Sequence, residues 1–377
     1  MINKGTTKLI KEMNKSAVLS TLYAENSISR AQLAKRTKIS KSTVSQIVDE
    51  LIDENLVIEV EVGKSTKKGG RRPIQLKVNP DAANIVGIEI SIKQMHCILT
   101  DLRANVIAEK IFELNNTEVE YITEIISEFI QDTGKYEKIV GIGIGIPGIT
   151  DMEKGIVLDA PELKWYRLDI KKALVDRFNK YIFIEDDVNM AVIGEMWFGA
   201  GNKFNDFVFI SIGNGIGSGI VINKKIHRGS NFSAGEIGYL ALDRGALQQN
   251  NYTYGQFGYF ESMASILSME HTTKMSYEEV FRKAKEGNIL CQDTVDKTLD
   301  YLSLGIANII SILNPEALII GGKMFRENID LLEIIENRVN RLTPVKSIII
   351  PTDLKDRSGI MGCIATVISN MYGIKLF

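Results

Sequence analysis

Val208-Phe209-Ile210-Ser211-Ile212-Gly213-Asn214-Gly215-Ile216-Gly217-Ser218-Gly219 is the stretch whose reading decides the fold. An apolar strand, Val208 to Ile212, runs into a series of small residues with glycine at every second position. A second apolar run, Ile220 to Ile222, leads to a polar turn at Asn223-Lys224-Lys225. Glycine lets backbone N–H groups approach a ligand or a neighbouring strand with no Cβ in the way. Taken alone, such a hairpin serves equally well as a structural turn. The segments downstream of it are more specific: Arg228-Gly229-Ser230, then Gly235-Glu236-Ile237-Gly238-Tyr239, then Tyr252-Thr253-Tyr254-Gly255-Gln256-Phe257-Gly258-Tyr259-Phe260-Glu261.

In this order the stretch resembles the ROK family of sugar kinases and sugar-responsive repressors. The family pattern is a G-x-G-x-G-x-G hairpin, an R-G, a G-E-x-G-H and a C-x-C-G-x-x-G-C-x-E. The chain keeps every glycine and glutamate of it and puts tyrosine in place of the histidine and the three cysteines, at Tyr239, Tyr252, Tyr254 and Tyr259. The resemblance implies a structural zinc at those four positions in the family. Zinc takes thiolate, imidazole or carboxylate donors, so four phenols do not make such a site. The expectation is no metal and no cofactor. A packed cluster of the four tyrosines would hold the Glu261 loop, with Tyr239 near the sugar; solvated phenols on a mobile loop are the alternative.

Upstream, Tyr181 to Glu185 reads as a strand ending in Glu185-Asp186-Asp187-Val188-Asn189. Ligand groups gather at the carboxyl ends of such strands. The segment is similar to the N-D-x-N of ROK kinases, whose aspartate is the base toward a sugar hydroxyl. Asp187 takes that place and Asp186 replaces the asparagine, which leaves the hydroxyl preference open. Acids at a helix N-terminus that serve only the helix are the alternative. Gly145-Ile146-Pro147-Gly148 resembles the family's sugar-side loop. The sugar-binding set implied by the resemblance is Gly148, Asp186, Asp187, Glu236, Tyr239 and Glu261. Where ROK kinases carry D-x-G-x-T for the nucleotide phosphates, this chain has Glu89-Ile90-Ser91-Ile92-Lys93. Serine replaces the glycine and lysine the threonine, so no kinase activity is expected.

The N-terminal part reads differently. A helix over 8–25, with Leu9, Met13, Leu19 and Leu22 as its apolar stripe, is followed by Arg30 to Arg36, capped by Ser29. Ser40 caps the next helix, Lys41 to Glu54, with Val44, Ile47, Val48 and Leu51 on one face. This is helix-turn-helix spacing, and the second helix presents Lys41, Ser42, Thr43, Ser45 and Gln46 to a major groove. Two strands, Leu56 to Val60 and Ile74 to Val78, flank a basic hairpin from Gly63 to Pro73. Its Arg71 and Arg72 suit a narrow minor groove, where the negative potential is enhanced; an interdomain linker is the alternative. The Gly-Gly-Arg-Arg-Pro run and the I-S-R-A-x-L-A block resemble ROK repressors, including the xylose repressors of Gram-positive bacteria, without fixing the sugar.

Charge supports this division. Residues 1–80 carry 15 Lys and Arg against 8 Asp and Glu, and the rest 30 against 39. A basic segment on an acidic body fits one polyanion-binding end, and also a solvated basic face. Cys97, Cys291 and Cys363 are far apart in apolar surroundings, which suits reduced core thiols. No apolar run reaches membrane-spanning length and no signal peptide is visible, so a cytoplasmic protein is expected. The reading is α/β: a winged helix-turn-helix over 1–80, then a two-lobed actin-like domain over 81–377. The expected partners are operator DNA, a sugar effector and a second copy. The competing functions are a ROK sugar kinase with an added N-terminus and a repressor controlled by a protein.

Overall fold

The computed structural model describes residues 4–60, 74–248, 258–326 and 328–375. The basic hairpin with Arg71 and Arg72, and the loop with Tyr252 and Tyr254, lie outside the described residues.

Three helices open the chain: α1 (Lys4–Ala24), α2 (Arg30–Thr37) and α3 (Lys41–Asp53). Ser29 caps α2 in a reciprocal capping box with Gln32, and Ser40 Oγ caps α3 by accepting from Thr43 N at 3.2 Å. A short strand β1 (Ile28–Ser29) pairs antiparallel with β3 (Gln75–Val78), which also pairs with β2 (Val57–Val60). Val18, Leu22, Leu33, Val44, Leu51 and Leu76 are fully buried among these elements. The expected stripe on α1 holds only in part. Leu9 and Met13 are 56% and 63% exposed, whereas Leu19 and Leu22 are buried.

Two five-stranded sheets follow. The first has the order β11-β7-β4-β5-β6, from β4 (Asn84–Ile90), β5 (Gln94–Asp101), β6 (Val106–Glu113), β7 (Ile139–Ile146) and β11 (Tyr181–Asp186). Between β7 and β11 come a small sheet, β8 (Ile149–Asp151), β9 (Ile156–Ala160) and β10 (Trp165–Leu168), and helix α5 (Ile170–Phe178). α5 and α4 (Val119–Thr133) cover one face of the first sheet. The second sheet has the order β14-β13-β12-β15-β16, from β12 (Phe207–Ile212), β13 (Ile216–Ile222), β14 (Lys225–His227), β15 (Ala317–Gly321) and β16 (Ile348–Pro351). Each sheet is an antiparallel meander of three strands extended by two parallel ones. This duplicated plan is the two-lobed architecture expected, although the sequence shows no internal repeat.

Helices α7 (Tyr259–Ala264), α8 (Ile266–Thr273), α9 (Tyr277–Lys285), α10 (Ile289–Leu313), α11 (Lys323–Arg326) and α12 (Leu331–Leu342) cover the second sheet. Helix α6 (Asp187–Phe198) and the last helix, α13 (Ser358–Tyr372), lie between the lobes. Their backbones touch: a Cβ on Gly194 would overlap Ser358 O, and one on Gly362 would overlap Met190 O. Both faces of β4 and β7 are covered, which explains their near-continuous apolar runs. Among the described residues no helix is long and apolar enough to cross a membrane.

Candidate functional site: a carboxylate cleft and a helix-turn-helix joined by one helix

The alternate glycines of the opening stretch divide into two roles. Only Gly213-Asn214-Gly215 forms the turn, closed by Gly213 N donating to Gly215 O at 2.9 Å. Gly217 and Gly219 sit within β13. A Cβ on Gly217 would lie 2.7 Å from Val188 Cγ2, and one on Gly219 would overlap Val192. Their bareness seats α6 against the second sheet.

That seating fixes the start of α6 in the cleft between the lobes. Asp186 is its N-cap: Oδ1 accepts from Asn189 N at 2.8 Å. The capping role therefore falls to Asp186, and Asp187 stands at the first helical position. Burial, opposed by the Val188 N–H and reinforced by Glu162 and Glu236, pushes the Asp187 carboxyl up to about 7. Burial and the Asp187 charge push Asp186 well above its ordinary range. Glu89, at the end of β4, is pushed up to about 8 by burial and by Asp187 and Asp356. Its carboxyl packs against Gly359 at the start of α13. Burial thus disfavours the charged form of Glu89.

Glu261 is committed to the backbone. Its Oε1 accepts from Ile216 N at 2.8 Å and its Oε2 from Gly258 N at 3.3 Å, which joins the glycine turn to α7. A Cβ on Gly215 would overlap Oε1. Each carboxylate oxygen keeps a second acceptor position, so Glu261 can still take a ligand hydroxyl. Burial raises its pKa against these two N–H groups, and burial and then Glu261 raise that of Glu236. Burial also raises Glu162. Glu162 and Glu236 have exposed surfaces, so water screening weakens the effect in both without reversing its direction. Gly148, with φ of 122°, lets the turn after β7 lie against Asp159 and Ala160, where a Cβ would overlap Asp159 O. Tyr239 ends a 3-10 turn that begins after Glu236.

The cleft thus gathers Glu89, Glu162, Asp186, Asp187, Glu236 and Glu261. Arg228, from the strand end after β14, donates Nε and Nη2 to Glu185 Oε2 at 2.9 and 2.8 Å. Glu185 is buried at the end of β11, so this pair ties the second sheet to the first at the cleft floor. A cavity of about 30 Å³ lies among Asp186, Asn189, Ser218, Phe232 and Glu236. A larger one, about 220 Å³, lies beside the other end of α6, among Met152, Phe183, Met196, Trp197 and Arg228. It is mainly apolar, whereas the smaller one is lined by convergent polar groups of the kind a ligand site uses. Arg228 is legible in the sequence only as a motif member; its role, like that of Glu162, depends on the folding of distant segments.

The far end of α6 meets the helix-turn-helix. Trp197 packs edge-on against Tyr23 of α1, with centroids 5.8 Å apart. Arg103, in the turn after β5, stacks 4.8 Å from the Tyr23 ring centroid and donates to Tyr23 O. Ser16 Oγ donates to Gly373 O, just past α13. One apolar cluster runs from Leu51 and Leu22 to Trp197, Val192 and Ile364. On the reading helix, Lys41, Ser42 and Gln46 are exposed, and Thr43 and Ser45 are half-buried. Arg30 holds α3 in place by donating to Asp49 Oδ1 at 2.7 Å, Ser45 O at 3.2 Å and Glu59 Oε1 at 3.0 Å.

Comparison with known proteins supplies the context. A ROK family sequence model matches residues 85–370 and a MarR family model matches residues 12–66. The chain is 34% identical over 97% of its length to the xylose repressor of Caldicellulosiruptor bescii, covering 98% of that protein. It is 29% identical to the xylose repressor of Bacillus subtilis, covering 88% of this chain and 87% of that one. Its fold is similar to the crystal structure of a ROK family transcriptional regulator described as a homolog of the E. coli MLC protein. There the TM-score is 0.82 at 23% identity, over 96% of this chain and 97% of that one. A ROK family glucokinase from Streptomyces griseus aligns with a TM-score of 0.64 at 22% identity, covering 99% of that chain but only 75% of this one. With a family match over most of its length and a relative of 34% identity along nearly all of it, the chain belongs to the ROK family.

Proposed function

We propose that this protein is a transcriptional repressor that binds operator DNA through α3 and the basic 63–73 segment and is released by a sugar in the carboxylate cleft. The observation that carries the proposal is helix α6. It starts at Asp187 among the cleft carboxylates and ends at Trp197 and Phe198, with Trp197 against Tyr23 of the helix-turn-helix. An uncharged polyol suits such a cleft, because each carboxylate oxygen accepts hydroxyl donors and adds no like charge. Two of the relatives are named xylose repressors, which makes xylose the first sugar to test. We further infer that the chain does not phosphorylate its sugar. Serine and lysine occupy the first phosphate-loop positions, and burial disfavours the ionised form of Glu89.

A cavity of about 30 Å³ has room for about two waters and is smaller than a monosaccharide. We infer that a sugar in the wider cleft changes the spacing of the lobes about the Arg228–Glu185 tie. That movement would shift α6 against the helix-turn-helix. In a dimer reading half-sites roughly 34–36 Å apart, a small change in helix spacing weakens operator binding. Leu9, Ile10 and Met13 on the exposed half of α1 offer apolar surface for a second copy. The sugar can shift the equilibrium only by its difference in affinity for the two states.

The test is fluorescence anisotropy with the full chain and its operator, titrated with pentoses and hexoses, alongside a coupled assay for ATP-dependent sugar phosphorylation. Release by one sugar with no turnover is expected. Turnover would overturn the non-enzymatic reading. Indifference of operator binding to every sugar would overturn the sugar reading and leave control by a protein partner.

A further inference from the structure

The zinc implied by the family resemblance does not fit the residues present. Tyr239 and Tyr259 occupy two of its four positions, and the Tyr259 phenol is already spent as a donor to a carboxylate, Asp243. We infer that Asp243 is the positioning residue of the effector site, a carboxylate hub that holds the Glu236–Tyr239 segment against α7 without a metal.

The geometry is a three-way convergence. Asp243 lies four residues beyond Tyr239, and its Oδ1 accepts from Tyr259 Oη at 2.5 Å and from Gly245 N at 2.6 Å. Its Oδ2 accepts from Tyr301 Oη, on α10, at 2.6 Å. The two phenol rings meet edge-on, 6.4 Å apart. One carboxylate thus joins the loop after Tyr239, the helix that carries Glu261 and the long helix behind them. Gly245 is a second, independent sign that the arrangement is built. A Cβ there would overlap Tyr259 Oη and come within 2.9 Å of Asp243 Oδ1.

The chemistry is that of charge-assisted hydrogen bonds. An ionised carboxylate takes several donors at once and shortens the bonds it accepts. The donations hold Asp243 below the usual carboxylate range. The same bonds push the Tyr259 phenol up, and likewise Tyr301. Zinc would order such loops through four ligands; here a fixed anion orders them through two phenols and an amide. Tyr301 lies outside every motif of the sequence, so the expectation of four clustered tyrosines points to Tyr259 but not to its partners. Tyr252 and Tyr254 lie outside the described residues.

The inference rests on the sugar reading for its consequence but not for its existence, so the experiment has two arms on the full-length protein. In the first, hydrogen exchange is followed for wild type, Asp243→Asn, Tyr301→Phe and Gly245→Ala. Faster exchange confined to residues 237–245 and 258–264, with the β4 and β7 amides unchanged, is the expected result. Unchanged exchange in all three variants would overturn the hub whether or not any sugar binds. Tyr301→Phe keeps the ring and removes one donor, so it reports even if Asp243→Asn does not fold.

The second arm uses operator DNA and the sugar that releases wild type. The sugar concentration for half release should rise about fivefold or more in Asp243→Asn, and operator affinity should stay within about twofold. The near-ultraviolet tyrosinate band should develop at lower pH in Asp243→Asn, since the anion that opposes phenol ionisation is gone. Equal half-release concentrations, or bound zinc near one per chain whose removal abolishes the response, would overturn the proposal. If no sugar releases wild type, the sugar reading fails and the exchange arm alone decides the hub.

Discussion

The two ends of α6 are built from opposite materials. Its first turn carries Asp186 and Asp187 in a crowded acidic cleft, where burial holds both carboxyls well above their ordinary range. Its last turn carries Met196, Trp197 and Phe198, packed with Tyr23 into an apolar cluster shared with the helix-turn-helix. The polar end is easily moved by a ligand, because buried carboxyls held only by backbone amides gain from new donors. The apolar end is costly to separate but tolerant of rotation, because dispersion and burial have no fixed direction. Between them, Gly194 and Gly362 allow close contact with α13. The contrast suggests a rigid element with a sensitive end and an adhesive end, and its parts can be broken one at a time.

The largest effect belongs to the middle. Gly362→Val drives a branched side chain into Met190 O and the α6 backbone. Overpacking of this kind costs about 3 kcal/mol or more when the backbone cannot yield. Thermal melts should show a stability loss of that size, and a loss below about 1 kcal/mol would mean that the helices are not in backbone contact.

At the adhesive end, Trp197→Ala removes a nearly buried ring. The expected loss is about 3 kcal/mol of stability, with a large part of the sugar response. The decisive comparison is at low temperature, where the variant is still folded. There it should bind operator and sugar but no longer link them. Retained coupling at wild-type strength would remove α6 from the mechanism.

At the sensitive end, Asp187→Ala should bind operator within about twofold of wild type and resist release by sugar even at concentrations about a hundred times higher, about 2.7 kcal/mol of lost binding. In wild type the ionised carboxyl is the better acceptor. Its pKa near 7 therefore predicts sugar affinity that rises between pH 6 and pH 8. A flat profile in wild type, measured by titration calorimetry, would separate Asp187 from the ligand.

The fold was more legible than the site. Ser29 and Ser40 announced the helices that they cap, and the apolar period of Val44, Ile47, Val48 and Leu51 marked a face that is buried. Asp186 illustrates what a motif conceals. The resemblance implies a place at the sugar, and the structure adds that its Oδ1 accepts from Asn189 N as the helix cap. Glu261 likewise accepts from two backbone amides and keeps a second acceptor position on each oxygen. Gly217 and Gly219, which the sequence leaves open to a ligand or to a neighbouring strand, are strand positions emptied for Val188 and Val192. In each case the residue type was informative, but its partner is set by the fold, within the capped helix for Asp186 and across elements for the others. Leu9 and Met13 fail for the converse reason: periodicity marks an apolar stripe but cannot supply what covers it.

The smallest effect tests whether the acidic crowding is real. Glu89 has an ordinary pKa of 4.5 and sits near 8 in the fold. A carboxyl raised in this way is neutral in both states below pH 4.5. Above that, the unfolded chain ionises it while the folded chain retains the proton. Stability therefore declines as pH rises from about 4.5, and the decline levels off beyond about 8. Glu89→Gln is neutral throughout and should remove this component. The variant should be measurably more stable than wild type at pH 8 and about equal to it at pH 4.5. Asp187 should ionise more readily once its neighbour cannot, so sugar affinity at pH 7 should rise slightly in the same variant. Denaturant melts at the two pH values decide the first point. If Glu89→Gln tracks wild type at both, Glu89 is ionised and solvated in the folded protein, and the carboxylates at the sensitive end of α6 are less crowded than their geometry implies.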